Sequence, residues 1–111
     1  MRKNKYNNKK TIVDGIKFDS KKEAKRYTEL KKEEQKGTIK NLKLQPKFLL
    51  NPTVRYDGTT YKKVSYKADF MYTKNDEIVV EDVKGYKTEI YKLKKKIFLN
   101  LYGSKYKFIE T

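Results

Sequence analysis

The amino-acid sequence predicts a mixed fold of the α+β or α/β class, in which helices flank a central β-sheet. Short β-prone runs alternate with turn signals over most of the chain. Two longer segments carry helix start and stop signals around an apolar face. The C-terminal third has the order strand, helix, strand, which favours two parallel strands joined by a crossover. Together these features predict a mixed sheet.

Turn signals divide the β-prone runs into hairpins. Asp14-Gly15 and Asp57-Gly58 each lie between two β-prone segments, which is typical of a hairpin turn. Polar residues at 74–76 predict a third turn, between the strand of Asp69 and the strand of Asp82. The expected strand segments are 11–18 (around its turn), 39–44, 48–50, 54–56, 61–72, 78–84 and 106–109.

The first helix is predicted from its caps. Ser20, followed three residues later by Glu23, matches a capping box, and Gly37 is a suitable end after about residue 35. Tyr27 and Leu30 belong to the apolar face of this helix. Because four and seven residues make almost whole helical turns, Glu23 shares that inward face.

The C-terminal third is predicted to be a β-α-β unit. Residues 78–84 are the most β-prone run in the chain, and Gly85 ends it. Thr88 can cap a second helix that reaches about residue 102 and ends at Gly103. A strand at 106–109 completes the unit. The buried stripe expected on this helix consists of Ile90, Leu93, Ile97 and Leu101.

The charge balance favours a polyanionic partner. The 111 residues include 29 Lys and Arg against 14 Asp and Glu, which gives a net charge of +15. Nucleic acid is the commonest partner for such a positive body, although charge does not separate DNA from RNA and also fits a merely Lys-rich protein. We expect residues 1–10 to be a flexible basic arm and residues 11–111 to be a single domain.

The absence of Cys and His restricts the chemistry. It excludes disulfides, thiolate nucleophiles, the usual zinc sites and an imidazole general base. An enzyme with this composition must use carboxylates, Lys, Tyr or a hard metal ion. No apolar run approaches the ~20 residues that span a bilayer, and no signal peptide is evident. A cytoplasmic protein without a membrane partner is therefore expected.

Two acidic residues in predicted strands suggest a site. Asp is disfavoured within strands, and Asp69 and Asp82 both lie in β-prone runs that a hairpin would place side by side. Side chains alternate along a strand, so Asp82 and Lys84 face one side while Glu81 faces the other, unless a bulge shifts the register. The expected result is two carboxylates and one ammonium in one patch. Paired carboxylates favour Mg²⁺ or Mn²⁺, which can polarise a phosphate and activate water.

The spacing Asp69, then Asp82-Val83-Lys84, resembles the D…(D/E)-x-K signature of the PD-(D/E)XK nuclease superfamily. Over most of residues 11–109 the chain also resembles a family of small phage and prophage proteins described as Holliday-junction-resolvase-like nucleases. The segments that carry this resemblance are FDSKKEAKRY (18–27), GTI (37–39), LQP (44–46), YKADF (66–70) and VEDVKG (80–85).

The resemblance implies a restriction-endonuclease-like core and assigns roles to residues. Asp69 and Asp82 would bind Mg²⁺ or Mn²⁺, Lys84 would assist water attack, and Glu23 would join the metal site. Gln45 would reach the site by hydrogen bonding. Ala68 stands where the signature has Pro. The simpler alternatives are that Glu23 only caps its helix, that Gln45 is a turn residue, and that Glu81 replaces Asp82 as the ligand.

Further residues are candidates for contact with nucleic acid. Tyr86 and Lys87 follow the active strand, and Lys94 lies near the stripe of the second helix. An ordinary surface position is the alternative for Tyr86 and Lys87, whereas Lys92, Lys95 and Lys96 are expected on a solvated or DNA-facing surface.

The leading hypothesis is a metal-dependent DNA endonuclease, acting on duplex or branched DNA such as Holliday junctions in phage recombination, inside the bacterial host cell. A homodimer would suit paired cuts across a junction. The alternatives are a non-catalytic nucleic-acid-binding module and an RNA-binding protein. Metal-dependent cleavage separates the enzyme from both.

Overall fold

The computed structural model describes residues 10–111, so residues 1–9 of the expected basic arm lie outside the described residues. Within residues 10–111, two helices, α1 (Lys21–Lys36) and α2 (Glu89–Tyr102), accompany ten strands. The strands are β1 (Thr11–Val13), β2 (Ile16–Phe18), β3 (Lys40–Leu44), β4 (Lys47–Asn51), β5 (Val54–Tyr56), β6 (Thr59–Tyr61), β7 (Val64–Lys67), β8 (Phe70–Lys74), β9 (Glu77–Asp82) and β10 (Lys107–Glu110). The chain thus has the α+β content that the sequence predicts.

The central sheet has four strands in the order β10-β9-β8-β3. Strands β8 and β9 form the expected antiparallel hairpin, and β3 pairs antiparallel with β8. Strand β10 returns parallel to β9 after α2, with Phe108 opposite Val80. The β-α-β unit and the mixed sheet are therefore confirmed.

Three tight turns have the backbone that their sequences predict. Both central residues have positive φ in Asp14-Gly15 (52° and 75°), Asp57-Gly58 (50° and 75°) and Asn75-Asp76 (51° and 63°). Gly, Asn and Asp tolerate this left-handed conformation, and such turns match the twist of the strands they join.

The two faces of the central sheet carry separate apolar clusters. Helix α1 covers one face, where Leu30 packs with Phe70 and Tyr72 of β8. Helix α2 covers the other face, where Phe98 packs with Val80 of β9. The second cluster also includes Phe48 and Leu50 of β4 and Tyr66 of β7. The predicted arrangement of helices on both sides of a sheet is confirmed, and no helix within residues 10–111 is long and apolar enough to cross a membrane.

The single strand predicted for residues 61–72 is wrong, because this segment forms parts of three strands. Strand β7 pairs with β4, whereas β8 pairs with β3 and β9, so the chain changes partners at Ala68 and Asp69. Strand β9 also ends at Asp82, so Val83 and Lys84 lie just beyond it. Local β-propensity does not reveal such a change of pairing partner.

The buried face predicted for α2 is also wrong. Ile90 is 64% exposed, Leu93 55% and Leu101 49%, and only Ile97 is partly buried. The helix instead buries Tyr91 and Phe98. Both stripes have helical spacing and differ by one position along the chain, and the aromatic stripe is the one that fills the space against Phe48 and Tyr66.

We expect Phe98→Leu to lower the free energy of unfolding by about 1–2 kcal/mol, because it removes ring volume from a site with no exposed surface. Leu93→Ala on the exposed face should change it by less than about 0.5 kcal/mol. Urea unfolding of both variants measures the difference. A larger loss for Leu93→Ala would contradict this orientation of α2.

Candidate active site

Asp69 lies where the chain passes from β7 to β8, and the backbone around it is tightly held. Its amide donates to the carbonyl of Glu81 at 3.2 Å, and its carbonyl accepts from the amide of Gln45 at 2.9 Å. Its side-chain Oδ2 accepts from the amide of Val83 at 2.7 Å. Asp69 is therefore fixed against the end of β9, although it does not lie within a strand as the sequence suggested.

Asp82 is fully buried at the end of β9. Its Oδ2 accepts a short hydrogen bond from the hydroxyl of Tyr66. Its Oδ1 forms an ion pair with Nζ of Lys84 at 3.1 Å, and no hydrogen bond reaches this buried oxygen from residues 10–111. Nζ of Lys84 also lies 4.4 Å from the centre of the Tyr91 ring, a cation–π contact that keeps the ammonium beside the carboxylate.

Glu23 brings a third carboxyl group to this place from α1. Its amide donates to Oγ of Ser20 at 3.1 Å, so the predicted cap is present. Its side chain is 7% exposed and interacts with the carboxyl group of Asp69 and with the backbone of Asp19. The structure thus brings together Glu23, Asp69, Asp82 and Lys84, although Glu23 and Lys84 are 61 positions apart in the sequence.

The three carboxyl groups repel one another in a poorly solvated place. Burial raises the pKa of Asp69 to about 8, with further contributions from a hydrogen bond with Asp82 and the negative charge of Asp82. Burial also raises the pKa of Glu23. A carboxyl group that keeps its proton near neutral pH is typical of buried carboxyl groups that lie close together.

Glu81 has a different environment from Asp82, on the opposite face of β9. Oε2 accepts from Nε of Arg26 at 2.5 Å and from the hydroxyl of Thr111 at 2.9 Å. Oε1 accepts from Nη2 of Arg26 at 3.0 Å and from the hydroxyl of Tyr72 at 2.6 Å. Its pKa is lowered because these donors outweigh the cost of burial. Glu81 is thus a saturated structural acid, whereas Asp82 faces Asp69.

The chemistry of the donor set fits a hard divalent cation, because it consists of carboxylate oxygens. Within residues 10–111, however, no three Asp, Glu, His or Cys side chains are already arranged so that they could hold a metal ion together. The two observations are compatible, since Mg²⁺ usually takes one or two carboxylates and completes its shell with water and phosphate oxygens. Asp69, held by Val83 and protonated near neutral pH, would have to ionise to serve as a ligand.

The residues suggested for nucleic-acid contact fall into different environments. Gln45 is exposed and has a φ of 52°, so it is a turn residue whose backbone supports Asp69. Tyr86 is 86% exposed just beyond Lys84. Lys87 forms an ion pair with Glu110 at 3.2 Å, and Lys94 is partly buried on α2.

Several residues around the site were not found from the sequence. Tyr66 and Arg26 bind the two buried acids, and the hydroxyl of Tyr91 donates to Glu110. Tyr66 stands in the YKADF segment, yet nothing in its spacing indicates a partner 16 residues away. The signal that could have been used is the rule that buried carboxylates require donors, which predicts partners for Glu81 without naming them.

Basic side chains line two grooves beside the acids. A cavity of about 340 Å³ lies along α2 and is lined by Lys87, Tyr91, Lys92, Lys95, Lys96, Leu99 and Glu110. A second, of about 310 Å³, lies against α1 and is lined by Lys22, Lys25, Arg26, Glu29, Val83 and Thr111. Tyr91, which contacts Lys84, and Val83, which contacts Asp69, connect these grooves to the acidic cluster.

The fold and the site define a small mixed α+β protein with three neighbouring carboxyl groups and one lysine at the end of its central sheet. Residues 3–110 match the family model described as "Protein of unknown function (DUF1064)", and the chain belongs to this family. No curated protein and no solved structure matches the chain.

Proposed function

We propose that this protein is a Mg²⁺- or Mn²⁺-dependent endonuclease that hydrolyses phosphodiester bonds of DNA. The observation that carries the proposal is the convergence of Glu23, Asp69, Asp82 and Lys84, with the Asp69 carboxyl group at a pKa of about 8 and one buried Asp82 oxygen without a hydrogen bond. The same residues carry the resemblance to the PD-(D/E)XK nucleases. A bound cation would offset the negative charges of the three acids, which repel one another in this buried place.

Each residue would have a distinct task. Asp69 and Asp82, with Glu23, would hold the metal ion, which supplies a polarised phosphate and an activated water. Lys84 would place its ammonium beside that water and offset charge on the phosphate, because its Nζ is already fixed between Asp82 and the Tyr91 ring. Tyr66 would orient Asp82 through its hydroxyl group. Hydrolysis adds the water oxygen to phosphorus and breaks one P–O ester bond, whose leaving oxygen takes up a proton.

Lysine contacts with phosphate would supply affinity without sequence reading. The lysines of the two grooves flank the acidic cluster, where they could contact the phosphates of a DNA strand that passes through the site. Binding should weaken steeply as salt is raised, since each neutralised phosphate releases about one counterion.

Cleavage of labelled duplex, four-way junction and single-stranded DNA tests the proposal. With Mg²⁺ or Mn²⁺, wild-type protein should cut, and Asp82→Asn should lower the rate by at least ~100-fold, because charge stabilisation of this kind is worth several kcal/mol. Asp76→Asn is a matched control, since it removes one carboxylate from an exposed turn at the opposite end of β8. It should leave the rate unchanged.

Two outcomes would count against the enzyme. Salt-sensitive binding without metal-dependent cutting by wild type would favour the non-catalytic binding module. Equal cutting by wild type and Asp82→Asn would show that the acids do not act on the substrate. The preferred DNA form among those that are cut would decide between a junction-selective and a general nuclease.

A further inference from the structure

A β-ribbon made of two successive two-stranded sheets adjoins the proposed site. We define it as residues 47–67, in which β4 pairs with β7 and β5 pairs with β6. Its inner half packs on α2, where Phe48 contacts Phe98 and the hydroxyl of Tyr102 donates to the carbonyl of Leu49. Its outer hairpin, residues 54–61, pairs with itself and does not pack extensively on any other described element.

The outer part of the ribbon has no role in the core. Every residue from 51 to 64 is exposed, including Val54, Tyr56 at 73% and Tyr61 at 56%. The register pairs Val54 with Tyr61 and Tyr56 with Thr59, so these four side chains share one face of the hairpin. An exposed hairpin with an aromatic face is costly to keep unless a partner covers it.

The charge of the ribbon favours a polyanion as that partner. Residues 47–67 contain five basic side chains, Lys47, Arg55, Lys62, Lys63 and Lys67, against the single acid Asp57. Within residues 10–111, none of the five forms an ion pair with an acidic side chain. Elsewhere lysines such as Lys87 and Lys95 are paired with Glu110. The ribbon therefore presents free positive charge.

The ribbon is also joined directly to the proposed catalytic acid. Its last strand leads through Ala68 to Asp69, and its root is closed by the Ala68 amide, which donates to the carbonyl of Pro46 at 3.0 Å. Asp57 at the tip is twelve positions from Asp69, so a fully extended chain would separate them by at most roughly 40 Å. This length is about one helical turn of duplex DNA.

We infer that the ribbon enters the major groove of B-form DNA and positions the duplex for cleavage within about one turn of the ribbon tip. The B-DNA major groove admits a two-stranded β-ribbon, whereas the A-form major groove is too narrow and deep for side chains to read. Arg55, Lys62 and Lys63 would contact phosphates, and Tyr56 and Tyr61 would contact sugars or thymine methyl groups. The inference rests on the proposed function for its substrate, since it assumes duplex DNA.

Fluorescence anisotropy with a 30-base-pair duplex, in EDTA so that no cutting occurs, tests the ribbon independently of catalysis. The triple variant Arg55→Ala, Lys62→Ala, Lys63→Ala should bind at least ~10-fold more weakly than wild type and lower the slope of log K against log salt by about 2–3. All three positions are exposed, so folding should be preserved, which circular dichroism checks. Tyr56→Ala with Tyr61→Ala should weaken binding without changing the slope.

The matched control is Lys36→Ala, Lys40→Ala, Lys74→Ala, which removes three exposed positive charges at the end of the sheet away from Asp69. It should weaken binding by less than ~3-fold. Equal losses for the two triple variants would overturn the inference, because the ribbon would then contribute only net charge. An equal loss on duplex RNA would also overturn it.

The result is separable from that of the nuclease test. If wild type does not cut but the ribbon variant binds duplex DNA more weakly than wild type, the inference about the ribbon stands and the nuclease proposal fails. If wild type cuts and the ribbon variant binds and cuts as well as wild type, the nuclease proposal stands and the inference about the ribbon fails.

Discussion

Asp69→Asn is expected to stabilise the metal-free protein at pH 8 while abolishing metal-dependent cleavage. Asparagine keeps a side-chain oxygen that can accept from the Val83 amide. Its amide nitrogen can donate toward Asp82 or Glu23, as the single proton of a protonated Asp69 carboxyl can. It therefore imitates the protonated form at every pH, but it supplies no negative charge for a cation.

The sign of the pH dependence follows from the direction of the shift. The folded-state pKa of Asp69, about 8, lies above the ordinary value of 3.8. The folded state therefore holds a proton that the unfolded state has lost, and this part of the wild-type stability is present at pH 4 and disappears as the pH rises through 8. At about 1.4 kcal/mol per unit, and allowing for relaxation of the site, we expect Asp69→Asn to be more stable than wild type by about 2–4 kcal/mol at pH 8.5.

Thermal unfolding in EDTA between pH 4.5 and 8.5 measures this difference. The two proteins should unfold at similar temperatures at pH 4.5, and the variant should unfold at least ~10 °C higher at pH 8.5. Mg²⁺ or Mn²⁺ should raise the wild-type value at pH 8.5 and leave the variant unchanged. Asp76→Asn should follow wild type throughout. Parallel pH profiles for wild type and Asp69→Asn would show that the pKa of Asp69 is not raised in the folded protein.

Local sequence features predicted the parts of the fold that depend on local geometry. The Ser20 cap, the Gly37 end and the Asp57-Gly58 turn are each determined within a few residues, and the structure has all three. The period of two along β9 correctly separated Asp82 and Lys84 from Glu81, because that strand is regular up to Asp82.

Features that depend on distant packing were not predictable in the same way. The burial of Tyr91 and Phe98 in α2, in place of the neighbouring aliphatic stripe, is decided by the ring of Phe48 about 50 residues away in the chain. The break at Asp69 is decided by which strands compete for pairing. For the candidate site, the acids and Lys84 carried a sequence signal, whereas Tyr66 and Arg26 are identified only by what they contact.

Arg26→Ala should be the most destabilising of the substitutions proposed for this protein. Arg26 gives two hydrogen bonds to Glu81, whose side chain has no exposed surface. Removing one partner of a buried pair leaves the other charge uncompensated, which costs about 3–5 kcal/mol. Lys92→Ala, which breaks the exposed pair of Lys92 with Glu89, should cost less than about 0.5 kcal/mol.

A second substitution separates the charge from the packing. Glu81→Gln in the Arg26→Ala background should recover part of the loss, because a neutral amide no longer needs a cation. Its one oxygen can accept from Tyr72 or Thr111, and its NH₂ group can donate to the hydroxyl oxygen of the other. The Glu81 pKa is lowered in the native protein, so the stability that this acid contributes is present above its ordinary pKa and is lost as the pH falls through the lowered value. The penalty of Arg26→Ala should accordingly shrink as the pH falls, because without Arg26 the burial of Glu81 favours its protonated form.

Urea unfolding at pH 7 and pH 4 completes the cycle, and the cleavage assay connects it to function. Glu81→Gln alone should retain metal-dependent cutting, because Glu81 faces α1 and not Asp69. If Glu81→Gln eliminated cutting while Asp82→Asn retained it, the assignment of the two acids would have to be exchanged. If Arg26→Ala unfolded at the same urea concentration as wild type, Glu81 could not be the structural acid that its four hydrogen bonds indicate.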